Sequence, residues 1–201
     1  GVHYIDKVTR RDAIAKARVV ILAASTCETS RILLNSKSRD KAGLANSSGQ
    51  VGRNLMDSVG TRLGAHIPAM EDLPPMNEDG AGGLHTYVPW WLVNDHAKLG
   101  FARGYHIEMG GGRQMPEAKS FGYLDSTPPG VYGRKLKEEA RRYYGAHFGF
   151  SGRGEMLPNK DCYSELDPNV VDQWGIPVLR FHWKWSDHEI KQAEHMQQTF
   201  A

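Results

Sequence analysis

The chain has 201 residues, of which 40% are hydrophobic and 24% charged, a composition typical of a globular protein with one sizeable core or two small ones. Its 25 basic and 23 acidic residues are interspersed and give a formal net charge of +2, so the sequence has no electrostatic footprint for nucleic acid or an anionic membrane. No apolar run approaches the roughly 20 residues that span a bilayer. We therefore expect a soluble protein that binds neither nucleic acid nor lipid.

The two cysteines, Cys27 and Cys162, lie far apart and leave the redox compartment undecided. Because Cys27 falls in the first turn of a predicted helix, we expect a buried thiol there. The chain begins without methionine on an alternating strand pattern and ends within a predicted helix. We expect it to be a fragment of a longer protein.

The amino-terminal part predicts a hairpin followed by a strand and a helix. Residues 2–6 and 12–17 alternate as hairpin strands do, and the aliphatic run 18–24 is typical of a strand buried on both faces. Ser25 and Glu28 have the spacing of a capping box, which predicts a helix from there to about Asn35. Such a strand-turn-helix unit either holds a phosphate at the helix N-terminus or is a core element without a ligand.

The remainder predicts several strands with few helices between them, which favours a mostly antiparallel second region and a boundary near Ser58. Before that boundary, 36–52 is rich in turn residues and 52–58 is consistent with one helical turn. A long loop is expected at 68–83, and the last helix has a capping box at Ser186 and Glu189. Strands are predicted at 59–67, 84–91, 101–109, 144–151, 162–166 and 177–185, and a further helix at 132–143.

Two blocks of sequence resemble the glucose-methanol-choline (GMC) flavoprotein oxidoreductases. The first covers 19–36 and the segment Gly-Leu-Ala-Asn-Ser-Ser-Gly-Gln-Val-Gly-Arg-Asn-Leu-Met-Asp at 43–57. The second comprises Gly-Glu-Met-Leu-Pro at 154–158, Leu-Asp-Pro at 166–168 and Asp-Gln-Trp-Gly-Ile-Pro at 172–177. Between them, 66–72, 89–91 and 103–106 resemble the bacterial sugar-oxidising branch, which includes glucoside 3-dehydrogenases.

The resemblance implies an α+β or α/β fold made of two parts. Residues 1–58 would be the end of a Rossmann-like domain that binds flavin adenine dinucleotide (FAD). Residues 59–201 would be a substrate-binding domain, incomplete at its C-terminus, with a mostly antiparallel sheet and flanking helices. The implied reaction removes hydride from a hydroxyl-bearing carbon of a sugar or related alcohol. The implied partners are that small molecule and an electron-acceptor subunit, and the compartment stays open between bacterial cytoplasm and periplasm.

The chain matches only a middle portion of such an enzyme. The G-x-G-x-x-G turn that binds the FAD pyrophosphate is absent, since the run 152–157 lacks the third glycine and is followed by Pro158. The catalytic residues are unknown, and the family's catalytic histidine is expected downstream of Ala201. Ser30 replaces a usual proline, and Ser58 replaces a frequent histidine. We expect the fragment itself to be inactive.

By the resemblance, small residues and available amides after the predicted strand would lie beside FAD. Asn46 and Asp57 either bind the same cofactor or fix turns and caps. The predicted cofactor-binding residues are Ala23, Ala24, Ser25 and Asn54.

A band of aromatic and imidazole side chains predicts a carbohydrate pocket, because sugar rings stack on aromatic faces while their hydroxyls need donors and acceptors. Tyr87, Tyr105 and His85 belong to this band, and Glu108 is one of the nearby groups that can hydrogen-bond to hydroxyls. Adjacent tryptophans on a strand point to opposite faces, so at least one is expected to fill the core. Glu155 either faces the substrate or pairs with Arg153. The predicted substrate-binding residues are Trp90, Trp91, Arg103, His106 and Glu155.

No metal site is predicted. His188 and His195 are seven residues apart on a helix, about 10 Å, which is too far to share an ion. A rival hypothesis remains open: a non-catalytic carbohydrate-binding or interaction domain derived from the same fold.

Overall fold

The computed structural model describes residues 1–75, 86–113 and 130–201. The chain divides into two compact units. The first comprises Gly1–Met56 and Pro158–Lys184, and the second Asp57–Leu157 and Trp185–Ala201. The described part is mixed α/β, with antiparallel sheets and three α-helices. The assignment of 1–58 to FAD and 59–201 to substrate stays a prediction.

The first unit contains two hairpins and one helix. Strands β1 (Val2–Ile5) and β2 (Asp12–Ala15) pair antiparallel, as the alternating pattern predicted. Helix α1 (Ser25–Asn35) packs on β8 (Tyr163–Val171) and β9 (Pro177–His182), which also pair antiparallel. Arg31 anchors the helix, since its guanidinium lies 2.6 Å from Asp172 Oδ2 and its Nε donates to the Pro177 carbonyl at 2.8 Å.

The prediction of a buried strand at 18–24 is wrong for the described structure. The segment has no regular hydrogen bonding, and Val19 and Ile21 are 75% and 86% exposed. The backbone N–H and C=O groups of a buried strand need hydrogen-bond partners, which neighbouring strands supply. No described strand pairs with this segment, so its apolar character alone does not make it a strand.

Two further local predictions in the first unit are wrong. Helix α1 begins at Ser25 without a side-chain cap, because Ser25 has a φ of 66° and Glu28 pairs instead with Arg31 at 3.4 Å. Residues 52–58 form no helical turn. Gly52 and Asn54 have positive φ values instead, and the Leu55 N–H donates to the Cys162 carbonyl at 2.8 Å.

A five-stranded antiparallel sheet forms the framework of the second unit. The long strand β7 (His147–Glu155) pairs on one edge with β6 (Tyr105–Gly111) and on the other with β3 (Ser58–Val59) and β4 (Arg62–His66). Strand β5 (Thr86–Val88) pairs with the outer edge of β6. The strand predicted at 84–91 ends at Val88 because Pro89 has no N–H to donate; residues 84 and 85 lie outside the described residues.

Helix α3 (Asp187–Phe200) packs on one side of this sheet. Its predicted capping box is confirmed: the Glu189 carboxylate accepts the Ser186 N–H at 2.7 Å, and also the Leu157 N–H at 2.9 Å. A Cβ at Gly152 would lie 2.6 Å from Met196 Sδ, so glycine on β7 is what allows the helix to approach.

Helix α2 (Gly133–Tyr143) has no buried residues, and its charged side chains are largely solvated, as predicted. Its C-terminal end is held by Arg113, whose Nη1 donates to the carbonyls of Arg141 and Arg142 at 3.1 and 3.0 Å. A short 3₁₀ turn at Pro68–Met70 lies within the predicted loop 68–83, whose residues 76–83 are outside the described part.

Candidate functional site

The two sides of the five-stranded sheet differ in character. Side chains alternate along a strand, and directly paired residues project to the same side. Because Gly152 and Gly154 face α3, Ser151, Arg153 and Glu155 face away from it. We call this second side the polar face. Its hydrogen-bonding side chains are Arg62, His106, Glu108, Ser151, Arg153 and Glu155.

Glu108 lies at the centre of the polar face. Its Oε2 accepts a hydrogen bond from Arg153 Nε at 3.3 Å, and its Oε1 lies 3.4 Å from His106 Nε2. His106 and Arg153 are direct partners across β6 and β7, and the Tyr87 ring packs edge-on against His106 at 6.0 Å. The Glu108 carboxylate therefore orients the side chains of His106 and Arg153. Both side chains can form hydrogen bonds with a ligand.

Arg103 and Glu155 form a second ion pair, with Nη1 and Oε2 3.3 Å apart and both side chains more than half exposed. The alternative pairing of Glu155 with Arg153 is wrong. Residues two apart on a strand are nearly 7 Å apart, whereas cross-strand neighbours are closer, so Arg153 pairs with Glu108 instead.

Strand register places a further row beside this cluster. Ser151 on β7 is paired with Arg62 on β4 and with Glu108 on β6. The Ser151 hydroxyl oxygen is buried and has no hydrogen-bond partner within the described part of the chain. Arg62 is exposed and forms no ion pair with any described residue. The row thus presents an unpaired cation, a hydroxyl and a carboxylate in that order.

The next row consists of glycines only. Gly149 on β7 pairs with Gly64 on β4 and Gly110 on β6, and a Cβ at Gly64 or Gly110 would meet nothing within 4 Å. None of the three has a positive φ, so neither backbone conformation nor internal packing requires glycine. They border a cavity of about 350 Å³ together with Ala65, Gly111, Gly112, Gly145, His147 and Phe148.

A histidine row ends the polar face. His66 and His147 pair across the strands with ring centroids 5.5 Å apart, and burial, followed by the nearby His66, lowers the pKa of His147. His66 Nε2 lies 2.9 Å from Glu71 Oε1, within ion-pair distance but outside hydrogen-bonding geometry. Glu71 also accepts a hydrogen bond from Arg142 on α2, which lowers the pKa of Glu71 below its ordinary value.

Trp90 and Trp91 lie on the opposite side of the sheet from His106. Trp90 packs against Tyr105 with centroids 5.0 Å apart, and Trp91 packs against Tyr105 at 5.7 Å. Tyr105 precedes His106 on β6 and faces α3, where its hydroxyl lies 2.7 Å from His195 Nδ1. The predicted band of aromatic and imidazole groups is therefore divided between two sides, because consecutive strand residues alternate. His85 lies outside the described residues.

The predicted cofactor-binding residues lie in the first unit. Ala23, Ala24 and Ser25 lead into α1, and Asn54, with a φ of 52°, borders a cavity of about 190 Å³. The other residues around this cavity are Thr26, Cys27, Ser30, Gly52, Arg53, Leu55, Met56 and Ser164.

The donors at this cavity fit part of a dinucleotide. The first turn of α1 has no side-chain cap, so its free N–H groups remain available to an acceptor such as a phosphate. The volume is below the roughly 300–1,000 Å³ of whole-ligand pockets, so it has room for one ribose- or phosphate-sized group at most.

Two further polar residues that the sequence singled out form local hydrogen bonds, and Cys27 differs from its expected burial. Asn46 fixes a turn, accepting the Val51 N–H at 3.0 Å, and Asp57 accepts the Ser58 N–H at 2.7 Å. Cys27 is exposed rather than buried, because α1 presents its first turn to the cavity.

Sequence reasoning missed Arg62, Ser151 and the glycine row. Each lies on a strand that the alternating pattern predicted, but which residues of different strands meet depends on register. The available signal was the recurrence of glycine at 64 and 149 within predicted strands and at 110 directly after one, since glycine weakens a strand and so indicates a close backbone approach or a bulge.

Curated relatives are dehydrogenases. The chain is 29% identical to 2-methyl-1,2-propanediol dehydrogenase of Mycolicibacterium austroafricanum over 97% of its length. It is 26% identical to the gluconate 2-dehydrogenase flavoprotein of Pantoea cypripedii over 98%, and 28% identical to the fructose dehydrogenase large subunit of Gluconobacter japonicus over 80%. No protein-family model matches the chain.

These similarities agree, at modest identity, with the resemblance to flavoprotein oxidoreductases. One relative is named a flavoprotein and another a large subunit. The chain spans 34%, 31% and 28% of the three relatives, or about a third of their length. Within the described residues, no helix has both the length and the apolar character needed to cross a membrane.

Proposed function

We propose that the chain is part of an FAD-dependent oxidoreductase of the GMC family, close to its sugar-oxidising branch. The reaction is oxidation of a hydroxyl of a sugar or related alcohol by hydride transfer to the flavin. The observation that carries the proposal is the polar face, where Glu108 orients His106 and Arg153 beside an open glycine row. Similarity to three dehydrogenases supports it.

The polar face suits a polyhydroxylated ligand. Each hydroxyl donates one hydrogen bond and accepts others, and the face alternates carboxylate acceptors with guanidinium donors. A sugar ring can approach the bare backbone of Gly64, Gly110 and Gly149 closely, because no side chain stands above them. Arg103, His106 and Glu155 would hold the substrate, whereas Trp90 and Trp91 lie on the other side of the sheet and would not contact a ligand on the polar face.

For the cofactor, we propose that Ala23, Ala24, Ser25 and Asn54 hold one polar group of FAD at the start of α1. When bound, FAD supplies the hydride acceptor. This chain positions the alcohol, and a base takes the hydroxyl proton; we propose that the base is a histidine downstream of Ala201. Residues 1–58 would then belong to the cofactor part, 59–201 to the substrate part, and a separate subunit would accept electrons.

The test uses the full-length protein that contains this chain. We expect flavin absorbance that bleaches anaerobically on addition of a sugar or polyol. We expect His106→Asn to raise the substrate concentration for half-maximal bleaching roughly fivefold, since a hydrogen bond contributes about 1 kcal/mol. The matched control is His188→Asn on α3, which removes an imidazole from the other side of the sheet.

A non-catalytic carbohydrate-binding domain is the second candidate, because the polar face consists entirely of residues outside the cofactor-binding set. A colourless parent protein that lacks FAD but binds sugar would establish this alternative and exclude the enzyme. Equal effects of the two histidine variants would mean that the polar face does not bind substrate.

A further inference from the structure

Arg62 is the starting point for a finer inference about the ligand, which rests on the proposed function. The other two arginines at this site pair with carboxylates of the polar face: Arg103 pairs with Glu155 and Arg153 with Glu108, each at 3.3 Å. Arg62 is exposed and forms no ion pair with a residue that the structure describes. A guanidinium presents several donors in a planar fork that matches a carboxylate.

Ser151, the neighbour of Arg62 in the row, also lacks a hydrogen-bond partner among the described residues. Ser151 is the direct partner of Arg62 on β7, and the buried hydroxyl oxygen of Ser151 has no hydrogen bond to any described residue. A buried hydroxyl without a partner is unfavourable, and a ligand atom that bonds to it removes the penalty. A cation and a hydroxyl that both lack a partner among the described residues are therefore adjacent on one face of the sheet.

Glu108 makes the two ends of the row opposite in charge. It pairs with Ser151 from the opposite strand, so Arg62 and Glu108 are two strand spacings apart, about 10 Å between their backbones. A ligand that lies across Ser151 meets donors at the Arg62 end and an acceptor carboxylate at the Glu108 end. A negative group is repelled at Glu108 and attracted at Arg62, whereas hydroxyls hydrogen-bond to the Glu108 carboxylate.

We propose that Arg62 is a specificity-determining residue and that the ligand of the polar face is a polyhydroxy acid. Its carboxylate binds Arg62, a neighbouring oxygen accepts from Ser151, and a hydroxyl further along donates to Glu108. The adjacent glycine row leaves room for the carbon chain to lie on the backbone.

The experiment compares two probes that differ in one group. Sorbitol and gluconate are six-carbon open chains, and gluconate has a carboxylate where sorbitol has a hydroxymethyl. Each is titrated into the full-length protein that contains this chain, under anaerobic conditions and at constant ionic strength, with amide and side-chain NMR shifts of β4, β6 and β7 as the readout. Acetate is titrated separately as a carboxylate without hydroxyls.

We expect gluconate to bind about two- to fivefold more tightly than sorbitol, the range for an accessible guanidinium–carboxylate pair. Arg62→Gln is expected to abolish this preference and to leave sorbitol affinity unchanged. Lys191→Gln on α3 removes the same charge from the other side of the sheet and is expected to keep the preference. Acetate is expected to bind more weakly than gluconate.

Three results would overturn the inference and are distinguishable from one another. Equal affinities for the two probes, or a gluconate preference that survives Arg62→Gln, would exclude the role of Arg62 while leaving the proposed function intact. Acetate binding as tight as gluconate binding would mean that the hydroxyls are not recognised. If neither probe changes the NMR shifts of β4, β6 and β7, the proposed function is overturned, and the inference with it.

Discussion

Glycines in the second unit serve two different purposes. Gly152 and Gly154 make room for α3, since a Cβ at either would lie within 3 Å of the Met196 or Gln192 side chain. Gly64 and Gly110 face open space. The sequence shows both kinds simply as glycines within strands, and only the register and the helix position separate them.

Substitution of Gly152 tests the first purpose. Gly152→Ala is expected to lower the free energy of unfolding by about 1–3 kcal/mol, because Met196 is fully buried and has no free volume into which it can shift. Urea denaturation measures the change.

Gly64→Ala is the matched control, and we expect it to be neutral or slightly stabilising, since Ala loses less backbone entropy than Gly on folding. Destabilisation of similar size in both variants would contradict the packing explanation.

At the scale of elements, local patterns were good predictors and pairings were not. The capping box at Ser186 and Glu189 was predicted from four residues and is confirmed, since its partners are sequence neighbours. The capping box at Ser25 is wrong because that residue has a left-handed backbone conformation. The row of Arg62, Ser151 and Glu108 joins three strands far apart in sequence, and no local pattern specifies their alignment.

Helix α2 is the element whose attachment depends most directly on charge. The structure shows its C-terminal turn joined to the sheet through Glu71, which Arg142 and His66 share. The Arg142 hydrogen bond lowers the pKa of Glu71, so its stabilising contribution is present above the ordinary pKa of glutamate. That contribution is lost as the pH falls through the lowered pKa.

We therefore expect Glu71→Gln to speed amide exchange in α2 at neutral pH, after correction for intrinsic exchange. The difference from wild type should shrink in acid, where Glu71 is protonated in both the folded and the unfolded chain. Hydrogen exchange with mass spectrometry across the pH range measures it.

Glu138→Gln on the same helix is the control, since Glu138 is exposed and forms no ion pair with the described residues. An α2 exchange rate that is the same in wild type and Glu71→Gln would show that the carboxylate does not hold the helix.

For the whole molecule, the order of the predicted elements correctly indicated mixed α/β structure with antiparallel sheets, but not which segments share a unit. Residues 158–184 belong with 1–56, although 101 residues separate the two segments in sequence. The aliphatic run 18–24 was predicted to be buried and is exposed, because burial depends on partner strands rather than on apolar character.

This exposed run predicts self-association of the 201-residue chain. Changing Val19 and Ile21 together to Ser is expected to reduce binding of a hydrophobic dye and light scattering, with little change in the free energy of unfolding. Val8→Ser is the control, because Val8 is 90% exposed but isolated at a hairpin turn. If dye binding is unchanged in the double variant, residues 18–24 are not the surface through which the chain self-associates.

In the glycine row, the effect of a substitution on stability can be separated from its effect on ligand binding. At Gly64 and Gly110 an added Cβ has room and meets no unfavourable backbone angle, so we expect the folded state to tolerate it, yet it would stand where we propose that the ligand lies. We therefore expect substitution of these glycines by alanine to restrict the size of the ligand that binds, while the melting temperature of the protein stays the same.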